Sequence, residues 1–199
     1  MARDENALFG RGETAGVTAA TDQDDLVGQV RVFEDLDYSQ SGVKPRRTNH
    51  FVKCMAVRNL AAAAVIGKRL GLIAWVSGKP TIAGYATTTA VANAYPIDEF
   101  LPSGGCAVND ICWVVIEGPA VVLTPLSGDG ANVFAVGDAL VSLTAATSGS
   151  TTSGRVKVQD LTGATAILGA EVGNRLGFAL TAKTTANTNA DLLVNVKRW

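Results

Sequence analysis

An unbroken run at residues 112–117, Cys-Trp-Val-Val-Ile-Glu, meets Gly118-Pro119 and is followed at once by Ala-Val-Val-Leu-Thr at 120–124. Both runs are short, apolar and rich in β-branched residues, so each reads as a strand. Proline has no N–H for a ladder, and Gly-Pro interrupts regular pairing. The expectation is a bend joining two consecutive strands. A chain that turns a strand straight into another strand is committed to sheet.

The same alternation of short runs and turn residues recurs along the chain. Residues 27–33 are strand-like. Residues 69–76 read as a strand ended by Ser77-Gly78-Lys79-Pro80. Residues 82–94 are rich in Thr and Ala, and Pro96 and Pro102 punctuate a loop. Residues 133–136 and 138–143 flank Gly137, and 156–159 alternate as a half-buried strand does. Residues 176–181 and 192–196 add two more runs. The Ala-rich stretch 60–65 is the one helix candidate. Roughly eight to ten short strands spaced by turn signals predict an all-β fold, a sandwich or barrel of short antiparallel strands.

Composition divides the chain near residue 50. Residues 1–50 carry 15 of its 35 charged side chains, 6 basic and 9 acidic, and few large apolar residues. They are expected to form an extended or flexible N-terminal arm, and residues 51–199 a β-rich domain. Net charge is −1 over 199 residues, without the basic excess of a nucleic-acid binder. No run reaches the ~18 apolar residues of a membrane helix, because Lys68 and Arg69 interrupt the nearest candidate. The N-terminus carries no signal-peptide pattern, so synthesis in a cytoplasm is expected. Cys54, Cys106 and Cys112 lack metal-ligand spacing and read as reduced, buried thiols, with one disulfide plus one free thiol as the alternative.

Catalytic and cofactor patterns are missing. Gly67-Lys68 has Ala62 where a phosphate loop needs glycine and Arg69 where it needs Ser or Thr. Asp22, Asp24 and Asp25 lack the spacing of a calcium loop. His50 is the single histidine and has no partner in the sequence. Asp98 and Glu99 are adjacent, and on an extended chain they point to opposite sides. No catalytic, cofactor or metal residue is therefore assigned. Trp75 and Trp113 sit within apolar runs and are expected in the core. Lys44, Arg46 and Arg47 form the one basic cluster, followed by Phe51. Arg46, Arg47 and Phe51 are the candidate partner contacts, chosen for their place at the composition shift.

The phrase Asp98-Glu99-Phe100-Leu101-Pro102, then Gly104-Gly105, then residues 109–119 through Trp113-Val114-Val115-Ile116-Glu117-Gly118-Pro119, resembles capsid decoration (cement) proteins of tailed bacteriophages. Val136-Gly137-Asp138-Ala139-Leu140, residues 173–180 and residues 189–196 resemble that family's repeated strand and Gly-Asp phrases. The resemblance spans about residues 52–199. It implies an all-β protein without catalytic residues, often a homotrimer, bound to the major capsid protein on the outside of an icosahedral shell. It implies no nucleic-acid or membrane partner, and synthesis in the cytoplasm of the host bacterium. The alternatives are another virion component, such as a head fibre base, tail part or shell subunit, and a glycan-acting enzyme. The enzyme reading needs two carboxylates, with Asp98 and Glu117 as candidates.

Overall fold

The computed structural model describes residues 9–15, 25–37, 44–45, 50–87, 92–124, 133–142, 154–159, 172–184 and 190–197. Twelve strands run in chain order: β1 Val30–Glu34, β2 Leu36–Asp37, β3 Lys44–Pro45, β4 Phe51–Asn59, β5 Leu70–Val76, β6 Lys79–Tyr85, β7 Ala94–Pro96, β8 Ile111–Leu123, β9 Ala139–Ser142, β10 Val156–Val158, β11 Gly177–Ala179 and β12 Asp191–Lys197. The fold is all-β. Ten strands join one sheet in the order β10-β9-β11-β12-β8-β4-β6-β5-β7, with β1 also paired to β4. Strands β2 and β3 form a separate pair. Every ladder is antiparallel except β4 with β6.

Strand β8 organises the sheet. Its first five residues are all buried, with alternate side chains entering two cores. Ile111, Trp113 and Val115 join one cluster, while Cys112 and Val114 join the other. That is why residues 112–116 read as a continuous apolar run instead of alternating. The first cluster also holds Leu70 and Ala94 from one end of the sheet and Leu140 and Val156 from the other. The sheet therefore curls until its ends share a core. Gly154 bridges them, its carbonyl accepting from Leu70 N at 2.6 Å and its N–H donating to Ala86 O at 2.8 Å.

Gly118-Pro119 does not separate two strands. β8 runs through it for 13 residues. The register with β4 slips between Lys53 and Cys54, which face Glu117 and Val115 and leave Ile116 as an extra residue. This bulge, followed by Gly118 at φ +97°, re-aims β8 from β4 towards β12. Pro119 lies where β8 keeps only β12 as a ladder neighbour. The missing N–H is tolerated there.

The Ala-rich stretch 60–65 is not a helix. Asn59, fully buried, takes over the backbone groups that a helix would use. Its Nδ2 donates to the carbonyls of Ala63, Cys106 and Ala107 at 3.1, 2.9 and 3.1 Å, and its Oδ1 accepts from Ala61 N at 3.0 Å. Such local side-chain bonds outcompete alanine's helix propensity. Val65 then bridges Cys106.

The composition boundary at residue 50 is not a packing boundary among the described residues. β1 pairs along β4. Phe9 stacks on Trp113 with centroids 4.8 Å apart, and Ala15 bridges Ile111. In sequence, Arg11, Glu13 and Asp25 lie between these few apolar anchors.

Candidate functional site

Strands β1, β4, β8 and β12 lie side by side, and their register fixes which residues share a face. Val32 pairs with Lys53, Lys53 with Glu117, and Glu117 with Lys197. These four residues form a cross-strand row of one valine and alternating charges. Phe51 opposes Glu34 in the next row, and Val30 opposes Met55 on the other side. The face is open: Val30, Val32 and Phe51 are 50, 58 and 57% exposed. Directly opposed Lys–Glu pairs favour this register over its slips.

A groove of about 370 Å³ crosses the face. Phe51, Val32 and Gly118 give it apolar walls, and Lys53, Glu117, Asn195 and Lys197 give it a polar rim. Gly118 makes the groove possible. A Cβ there would lie 2.5 Å from the carbonyl oxygen of Phe51. An apolar floor inside a charged rim suits a protein surface better than a small substrate.

The sequence candidates fall in different places. Phe51 stands on this face. Arg46 and Arg47 lie outside the described residues. His50 is exposed just before β4, and its carbonyl accepts from Asp35 N at 3.0 Å. Val30 and Val32 were not singled out. Their only sequence signal was the strand-like run 27–33, which does not tell an exposed face from a buried one.

Trp75 is not in the core. It is 67% exposed, at the end of β5 beside Val76 at 49%. The next two residues, Ser77 and Gly78, have φ +51° and +78° and close a two-residue hairpin to β6. The apolar run simply continues past the last position the core covers, which is Ile73. Trp113 is in the core as expected.

Asp98 and Glu99 do not diverge. The chain leaves its last bridge at Ile97 and turns at residues 99–100, so the extended-chain geometry does not apply. Both carboxylates reach Arg11, whose Nη2 lies 3.1 Å from Asp98 Oδ1 and 3.5 Å from Glu99 Oε1. Asp98 Oδ2 accepts from Gly12 N at 2.7 Å. The Arg11 guanidinium lies 4.5 Å from the centre of the Phe100 ring. Burial works against the charge of Arg11, and the attraction of the Asp98 and Glu99 carboxylates outweighs it, holding the group above its ordinary value. Asp98 thus anchors the N-terminal segment. Glu117, the other carboxylate of the enzyme reading, is exposed between Lys53 and Lys197.

The three cysteines are buried and free. Burial pushes the Cys54 thiol up to about 12, against the opposing pull of Arg11. Cys112 is pushed well up by its hydrogen bond with Cys106, then by burial. Neither thiol ionises near neutral pH, which makes both poor nucleophiles. Among the described residues no group of three His, Cys, Asp or Glu side chains is placed to hold a metal ion. No helix among them is long and apolar enough to cross a membrane.

No protein-family model matches the chain, and no curated protein does. Among solved structures, the N base of the head fiber gp8.5 of bacteriophage phi29 aligns over 73% of this chain and 96% of that one, at 13% identity and a TM-score of 0.38. A score that low does not establish a common topology.

Proposed function

We propose that this chain is a non-enzymatic virion structural protein that decorates the outside of an icosahedral phage capsid by binding its major capsid protein. One observation carries the reading: the open face of β1, β4, β8 and β12, where Phe51 and Val32 stand beside a groove rimmed by Lys53, Glu117 and Lys197. A wholly charged face would favour solvent, and a wholly apolar one would be a core. An apolar centre with a paired-charge rim is the anatomy of a protein interface. The phrases at residues 98–119, 136–140, 173–180 and 189–196 that resemble decoration proteins supply the class of partner. Asp98 binds the N-terminal segment through both carboxylate oxygens, which speaks against it as one of the two carboxylates a glycan-acting enzyme needs.

The test is co-sedimentation of the purified protein with phage shells that lack it. The expected result is saturable binding, weakened at least about tenfold by Phe51→Ser through loss of a buried aromatic anchor. Val136→Ser, at a valine 67% exposed elsewhere on the surface, is expected to bind normally. Gold labelling of assembled particles tests the location. Label confined to fibres or the tail would replace decoration with one of those roles, and no binding to any particle would overturn the reading.

A further inference from the structure

Three strands of the ten-stranded sheet have one ladder neighbour each among the described residues: β7, β10 and β1. Exposed sheet edges invite pairing with other chains, and proteins blunt them with short length, proline or charged side chains, lysine above all. Two of these edges are blunted. β7 has three residues and ends in Pro96. β10 has three residues with Lys157 at its centre. β1 is longer, five residues Val-Arg-Val-Phe-Glu, and carries the charges of Arg31 and Glu34 but neither proline nor lysine.

The hydrogen bonds show which groups of β1 are left over. Ala56 N donates to Gln29 O at 2.9 Å, and Asp35 N donates to His50 O at 3.0 Å. In an antiparallel pair the bonded residues alternate. In the unbroken β1–β4 register, Gln29, Arg31, Phe33 and Asp35 therefore bond towards β4. Val30, Val32 and Glu34 turn their N–H and C=O groups outward. The same three residues are the exposed ones on the face described above, so backbone and side chains offer one surface.

We propose that β1 pairs with β1 of a second copy of this chain, antiparallel and centred on Val32, joining two sheets across a two-fold axis. The strand's own sequence selects this occupant and register. Centring on Val32 matches Val32 with itself and Val30 with Glu34, so every outward N–H and C=O meets a partner. It also sets Arg31 against Phe33 of the other copy, repeating the arginine–ring contact that β1 makes internally at 5.4 Å. Centring on Arg31 would oppose two guanidinium groups, and centring on Phe33 would leave Val30 outside the ladder. A three-fold ring through β1 would need a different edge as its partner, and the other two are blunted.

Light scattering during size exclusion tests the proposal without any capsid. The wild-type protein is expected at twice its 20.5 kDa chain mass. Val32→Lys and Val32→Glu are each expected at the single chain mass, because like charges then face each other across the axis. An equimolar mixture of the two is expected to return to twice that mass, since Lys then faces Glu. Val32 is 58% exposed, but Val32→Lys adds a like charge opposite Lys53 and Val32→Glu does not, so thermal melting checks that both variants stay folded. Val136→Lys is expected to stay dimeric. A wild type at one or three chain masses, a Val32→Lys dimer, or a monomeric Val136→Lys would each overturn the pairing.

Discussion

The indole N–H of Trp113 donates to the carbonyl oxygen of Phe9 at 3.1 Å, across 104 residues of sequence, and the two rings stack 4.8 Å apart. Phe33 meets the same indole edge-on at 5.2 Å. A fully buried tryptophan must place its N–H. Here a segment read as an extended or flexible arm supplies the acceptor and two of the rings packed on the indole. The first fifty residues thus hold part of the central core.

Phe9→Ala is expected to destabilise the protein by about 3 kcal/mol, the usual cost of emptying a buried phenylalanine site. Urea unfolding followed by tryptophan fluorescence measures it. The Trp113 emission should also shift to the red before global unfolding, because its cover is gone. An unchanged midpoint would mean that the segment contributes nothing to stability.

Asp98→Asn keeps the shape of the side chain and removes the charge facing Arg11. Glu99, 3.5 Å away, would then be left to face a guanidinium whose side chain is 5% exposed. Breaking a buried pair from one side costs about 3–5 kcal/mol, while replacing both partners costs less than the sum. Arg11→Met with Asp98→Asn should therefore be more stable than the two single losses added. Chemical denaturation of the three variants checks the non-additivity.

Legibility followed burial and local pairing. The end of β5 was readable because Ser77-Gly78 is local turn chemistry, although the turn is tighter than the four residues 77–80 suggested. β10 was readable from its alternation, and β12 as a short apolar run. The stretch after Asn59 was misread because four hydrogen bonds from one side chain, two of them to residues 106–107, cancel a local helix preference. Trp75 was misread because an apolar run does not say where the core ends. Phe51 was readable only as a residue near a charge cluster. Its groove needs β8 and β12, which arrive from 60 to 140 residues later and leave no trace near position 51.

Gly118→Ala probes the re-aiming of β8. The new methyl would meet the Phe51 carbonyl at 2.5 Å, in a backbone conformation with φ +97° that disfavours any side chain. Relief requires β4 and β8 to separate at the bulge. Destabilisation of about 2 kcal/mol or more is expected, beyond the ordinary cost of leaving the left-handed region. Shell binding should fall as well, because the same movement opens the groove. A variant with normal stability and normal binding would show that the bulge tolerates a side chain.

Lys183 carries a prediction that runs towards greater stability. Its Nζ is buried with no hydrogen-bond partner, and its side chain lies 5.8 Å from the Phe134 ring. Burial, then the like charge of Arg155, lowers its proton affinity in the folded state below the ordinary 10.5. The unfolded chain therefore binds the proton more tightly than the folded one. Below the folded value the charge is present in both states and its burial cost is complete. As pH rises from that value towards 10.5, the folded state loses its proton first and stability increases. Lys183→Met fills the same space beside Phe134 without an ammonium to desolvate. It is expected to stabilise the protein at neutral pH by about 1 kcal/mol, the scale of an unsatisfied buried group. The gain should shrink as pH climbs through the window below 10.5. Thermal melting of wild type and variant across that range measures both effects. A variant that melts lower at neutral pH would mean that the ammonium is held by a favourable contact.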